Sequence, residues 1–278
     1  MLPLIRYELI KTYFKWRTYI GFIAISVLVP LVMLGLKLQG DDMVQRMTRS
    51  LESDFMFFGN LFNGYFVTNL IMNSLWVHVP FLISLVAGDV LAGEGTAGTF
   101  RILLIRPPSR SRILFAKYLT TLAYTASLVA FLALLSIGLG IIVFGRGDLI
   151  VSGAVATIIP ENDVLWRLGV SFLLATISMW CVASLAFLFS SLVENAIGPI
   201  IGTMTVIIVF FIISNLPVDL FTATRPYLFT TYLNVWQDVL TEPIPWEKIQ
   251  ASLLRLAGFS AGFYCITWYI FVRKDVLS

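Results

Sequence analysis

The sequence predicts an all-α fold, a polytopic membrane protein built as a single domain, and three observations predict it. Hydrophobic residues fill 58% of the 278 positions and charged residues only 13%. That is half of the roughly 25% with which a soluble chain wets its surface. Mean hydropathy is +0.89. The apolar residues fall in continuous runs of about 20, the length that crosses the hydrocarbon layer as a helix, and not in the alternating runs of a lipid-facing barrel.

The elements follow in order. Residues 1–17 mix Arg6, Glu8, Lys11, Lys15 and Arg17 with Leu4, Ile5, Leu9, Ile10, Phe14 and Trp16. This predicts an amphipathic helix lying in the membrane interface. The run behind it reaches Leu36 without a small-residue cleavage site, unlike a signal peptide. Six spans are expected at about 18–36, 64–87, 116–144, 166–191, 196–215 and 251–272. The third is long enough to tilt or to project from the bilayer.

Even spans put both termini on one side. That side collects eleven of the 19 basic residues, in the first segment, in the loop 88–115 with Lys117, and at Arg273 and Lys274. The opposite loops carry acids such as Asp41, Asp42, Asp148, Glu161, Asp163, Asp219, Glu242 and Glu247. Basic loops stay in the cytoplasm, so both termini and the 88–115 loop are expected there, in a bacterial cytoplasmic (inner) membrane. The extracytoplasmic loop 216–250 holds Pro217, Pro226, Tyr227, Trp236, Pro243, Pro245 and Trp246. It reads equally as short or re-entrant helices and as a loop with membrane-anchoring aromatics.

Several function classes are disfavoured. A net charge of +3 does not imply a nucleic-acid partner. Cys181 and Cys265 lie in apolar runs without metal-ligand spacing, and His78 is the sole histidine, so no zinc site is expected. Met43, Met47 and Met56 read as interface residues before they read as a soft-metal site. The sequence has no Gly-x-x-x-x-Gly-Lys-Ser/Thr phosphate loop, no Gly-x-Ser-x-Gly elbow and no His-Glu-x-x-His helix. An intramembrane enzyme is therefore the weakest reading, and work from ATP would have to come from another polypeptide.

Polar residues inside the spans are the candidate path. Asn69 and Asn73 stand at i, i+4 on one helical face, with His78 behind them and Pro80 after it. They line a translocation path or form interhelical hydrogen bonds. His78 next to Pro80 reads as a kink or as a partner for a freed carbonyl before it reads as a proton relay. Gly198 with Gly202, and Gly258 with Gly262, have the i, i+4 spacing that lets helix backbones approach. Packing within the chain is the first expectation for both pairs, and a subunit interface the second. Glu194, in the turn between the fourth and fifth spans, reads equally as a partner contact and as a solvated turn acid.

The most informative stretch runs from Gly88 to Arg110. Phe100, Leu103 and Leu104 fall on one helical face, and Arg106-Pro107-Pro108 ends that helix. Such a piece either docks in the groove of a soluble partner or is a basic loop resting on anionic lipid. The set Glu94, Gly98-Thr99, Arg101, Leu104, Arg106-Pro107, Ser109-Arg110 and Lys117, with the tail Phe271, Arg273, Lys274 and Asp275, resembles the cytoplasmic signature of the type-2 ABC exporter permeases. Phe100 departs from that family's usual Leu and keeps the stripe apolar.

The resemblance implies a coupling helix within 88–115 that seats in a cytosolic ABC ATPase subunit. Glu94, Thr99, Arg101 and Arg106 would be polar contacts, and Phe100, Leu103 and Leu104 the apolar anchor. It further implies two ATPase copies that bind ATP and magnesium, with no cofactor and no catalytic residue in this chain. A second permease chain, identical or paralogous, is implied as well. The cargo is left open, as is a periplasmic or lipoprotein subunit. The alternative is a mechanotransmitting subunit that acts on periplasmic partners without moving a substrate.

Overall fold

The computed structural model describes residues 1–48, 62–96, 109–151, 157–216 and 218–273. It is a helical bundle. Helix α1 spans Leu2–Tyr13, α2 Trp16–Thr48, α3 Gly64–Leu75, α4 Val79–Ala87 and α5 Asp89–Thr96. Then come α6 (Arg110–Phe144), strands β1 (Leu149–Val151) and β2 (Thr157–Ile159), α7 (Glu161–Leu192) and α8 (Ile197–Asn215). Three 3-10 helices (Asp219–Phe221, Arg225–Tyr227 and Phe229–Leu240) precede α9 (Trp246–Arg273).

Five helices are long and apolar enough to cross a membrane: Trp16–Leu38 within α2, then α6, α7, α8 and α9. A sixth is reached if the pair Gly64–Leu75 and Val79–Gly95, bent by 56°, is one span. The bend falls where Pro80 enters the first turn of α4, a position that tolerates its missing N–H. Helix α7 is the centre, because 67% of its most apolar window is buried against 28% or less in the other four. Around it pack α4, α6, α8, α9 and the segment Phe229–Leu240. Trp236, fully buried on that segment, meets Trp76 with ring centroids 5.3 Å apart.

Two sequence expectations change, and one open alternative is decided. The first helix ends at Tyr13, so Trp16 and Arg17 open α2 instead of closing an interfacial helix of 17 residues. The all-α expectation misses an antiparallel ribbon in which Leu149 pairs with Ile159 and Val151 with Thr157. Leu149 and Ile159 are buried, so β-branched and apolar residues pin this short ribbon to the core. Of the two readings of the loop 216–250, its described residues take the short-helix one, as the three 3-10 helices and the start of α9.

Caps and close approaches hold the ribbon end together. Asn63 caps α3 by accepting from the Tyr65 and Phe66 amides at 3.0 and 3.2 Å, and it donates to Asp148 O at 2.6 Å. Asn63→Ala is expected to cost about 0.5–2 kcal/mol, the ordinary value of a helix N-cap. Reversible unfolding in mixed micelles would read it, and an unchanged midpoint would refute the cap's importance. The Gly64 amide donates to Gly145 O at 2.9 Å. Gly145 ends α6 at φ +76°, a region glycine enters without cost.

Candidate functional site

At the other end of the bundle, charges gather in a place where burial makes them expensive. Helix α1 turns Glu8 and Thr12 inward against α6. Lys117, two turns into α6, is 1% exposed, and Glu8 and Glu94 are each 2% exposed. Lys117 Nζ donates to Glu8 Oε2 at 2.9 Å and to Glu94 Oε1 at 2.5 Å. Lys11 donates to the same Glu94 oxygen. Burial pulls the Lys11 ammonium down, but the Glu94 hydrogen bond and the charges of Glu94 and Glu8 outweigh it, and its pKa stands above the usual lysine value.

A second knot lies one turn earlier on α5. Lys15 Nζ and Arg17 Nη1 reach the two oxygens of Asp89 at 2.8 and 2.9 Å. Segment 8–17 is therefore fastened to both ends of α5 and to α6. Helix α5 is fastened in turn to α7. The Ser190 hydroxyl accepts from the Leu91 and Ala92 amides at 3.1 and 2.9 Å and donates to Gly88 O at 2.5 Å. Gly93 gives Asp89 its room, because a Cβ there would stand 2.4 Å from the carboxylate.

The same end carries the start of α6 and the finish of α9. Arg110 donates to Val272 O at 3.3 Å, and Trp268 Nε1 to Ser111 Oγ at 2.9 Å. Glu194 is exposed in the turn after α7, in van der Waals reach of Gly95.

Of the residues the sequence singled out for coupling, Glu94 is described. Its carboxylate points into the lysine cluster, inside the chain. Thr99, Phe100, Arg101, Leu103, Leu104 and Arg106 lie outside the described residues, in 97–108, which joins α5 to α6. The charge cluster was legible only in part. Glu8 and Lys117 stand out as charges within apolar runs, but nothing in the sequence pairs residues 109 positions apart.

The candidate path residues separate. Asn69 is buried and takes the Asn73 amide on its Oδ1 and backbone oxygen at 3.1 and 2.9 Å. Asn73 is exposed and accepts from Gln237 at 2.9 Å. His78 is exposed at the 56° bend, with Nδ1 3.2 Å from Ser74 O. The glycine pairs also separate. A Cβ at Gly202 would touch the Phe189 ring at 3.5 Å, whereas at Gly258 and Gly262 it would meet nothing within 4 Å among the described residues. The expected packing within the chain fails for the second pair, which faces outward.

Comparison with known proteins gives a relative and a family. The chain is 27% identical over 208 residues to the uncharacterized protein YhcI of Bacillus subtilis (strain 168), covering 70% of this chain and 63% of that protein. It thus spans less than two thirds of that relative's length. Residues 21–277 match the family described as "Protein of unknown function (DUF2705)". With nearly its whole length inside that match, the chain belongs to the DUF2705 family.

Proposed function

We propose that this chain is the membrane-spanning permease subunit of an ATP-binding cassette exporter, driven by a separate cytosolic ATPase. The observation that carries the reading is the cluster of buried Glu8, Glu94 and Lys117 with half-buried Lys11, set where α5 leads into 97–108 and α6 resumes from it. A partner pushing on 97–108 would push on α5, and the cluster would pass that movement to α1 and α6 as one body. Ion pairs with little access to water suit this task, since solvent screens them weakly.

In this reading the bent pair is one span, which makes six, and both described ends of the chain lie at the cytoplasmic face. Basic residues support that side: Arg6, Lys11, Lys15, Arg17, Arg110, Arg112, Lys117 and Arg273 gather at one end of the bundle. Helix α1 lies in the interface, because its outward side carries Leu2 (81% exposed) and Ile10, with Arg6 among them and Phe14 (86% exposed) just past its end. Asn73 and His78 are exposed polar residues that lipid would penalise, and half-buried Gln237 donates to Asn73. They line a path between this chain and a second permease chain.

The test pairs the purified chain with a phosphate-loop ATPase from the adjoining reading frames, in proteoliposomes. Arg101→Glu with Leu104→Asp is expected to reduce permease-stimulated ATP hydrolysis more than about tenfold, as loss of a central interface anchor does. Stimulation equal to wild type would sink the coupling role. Stimulated hydrolysis with no ATP-dependent flux of any cargo class would favour mechanotransmission over export.

A further inference from the structure

We propose that the outward face of α9 binds one anionic phospholipid, with its phosphate at Arg255 and one acyl chain lying along Gly258 and Gly262. An open groove of about 510 Å³ runs down this face. Arg255 and Tyr227 stand at its mouth, Gly258, Phe259, Gly262 and Phe263 form its bed, and Ile266 ends it. The two glycines make the depth, since among the described residues nothing lies within 4 Å of a Cβ placed on either. Phe259 and Phe263 are held from behind by Phe229, with centroids 6.1 and 6.0 Å away. The bed is therefore a fixed surface.

The level of Arg255 in the membrane follows from α9 itself. Residues 256–272 contain no charged side chain, and Arg273 ends the helix. Those 17 residues rise about 26 Å at 1.5 Å each, close to the thickness of the hydrocarbon layer. Each arginine lies against a tyrosine ring, Arg255 over Tyr232 at 4.8 Å and Arg273 over Tyr269 at 4.3 Å. Aromatic and basic residues together mark the two interfaces. From Arg255 to Ile266 the groove descends about 16 Å, the depth of one leaflet.

Charge selects the occupant. Arg255 donates to the Tyr232 hydroxyl at 2.8 Å, but among the described residues it has no carboxylate within ion-pair distance. Two acids that precede α9 have their own cations, Glu242 in Arg167 and Asp238 in Lys248. A guanidinium at headgroup level above a leaflet-deep apolar channel fits a phosphate ester with a hydrocarbon tail. A second copy of this chain fits poorly. Two parallel α9 helices crossing at Gly258 and Gly262 would bring their Arg255 side chains together at one depth, because residues 255, 258 and 262 share a face.

The test uses the full-length chain, delipidated in detergent and titrated with dioleoyl-phosphatidylglycerol or dioleoyl-phosphatidylcholine under native mass spectrometry. The wild type is expected to prefer the anionic lipid about fivefold, the effect of one basic residue at the headgroup level. Arg255→Gln should abolish that preference and Arg255→Lys should keep it. Gly262→Leu should weaken both lipids, with the chain remaining monodisperse. Equal binding of the anionic lipid by wild type and Arg255→Gln would overturn the proposal. So would a dimer of the wild type that Gly262→Leu splits while lipid binding stays unchanged.

Discussion

Replacing Lys117 by methionine is expected to cost about 3–5 kcal/mol of folding stability, the penalty for removing one partner from a buried ion pair. Methionine nearly matches the lysine stem in volume, so the loss would not come from a cavity. It would come from Glu8, whose carboxylate has Lys117 as its hydrogen-bond partner and whose other oxygen is buried without one among the described residues. Glu94 would keep Lys11. The double variant Glu8→Leu with Lys117→Leu should therefore recover stability to within about 1 kcal/mol of wild type, since charge and countercharge leave together. Denaturant unfolding in mixed micelles would measure both. A single variant as stable as wild type would show that the cluster holds nothing, and a double variant as unstable as the single would show that packing, not charge, was lost. If the cluster also couples the ATPase, the stable double variant should fail to stimulate ATP hydrolysis by the partner ATPase.

The second large effect is expected at the crossing of α3 and α6. Gly64→Ala should destabilise the chain by about 3 kcal/mol, the upper part of the range for overpacking. A Cβ on Gly64 would lie 2.3 Å from Gly140 C and 2.4 Å from its oxygen, and one on Gly140 would lie 2.7 Å from Gly64 O. The obstructing atoms are backbone, so no rotamer change relieves the clash and the helices must separate. Separation would also stretch the bond from Thr68 Oγ1 to Ser136 O, now 3.1 Å. A Gly64→Ala chain that unfolds at the wild-type midpoint would contradict the close approach. Gly138, two residues earlier on α6, faces open space, and Gly138→Ala is the matched control.

The apolar helices were legible because a 20-residue apolar run is a property of composition and needs no partner. The break in the second run announced itself through Pro80. The ribbon of Leu149–Val151 and Thr157–Ile159 did not, since three residues are too few for alternation to register. The close approach of Gly64 and Gly140 was hidden because it joins single glycines on two helices, while the eye is drawn to spaced pairs on one. Gly258 and Gly262 gave the right motif and the wrong side. Spacing shows that a face is smooth, but only the surrounding helices decide whether that face is covered. The charge cluster was visible as charges and invisible as pairs, because Glu8 meets Lys117 only after α1 folds back on α6.

The first helix has its ammonium and carboxylate groups turned inward and Leu2, Ile10 and Phe14 turned outward. If that side rests on the membrane interface as proposed, extraction from the native membrane reverses its solvent. A small, harsh detergent micelle would leave these side chains wet, and the helix would lift to shed them, letting water reach Glu8 and Lys117. A long-chain amphiphile that coats residues 2–14 is thus a condition for isolating the intact protein, and early loss of this helix is the damage to look for first during purification.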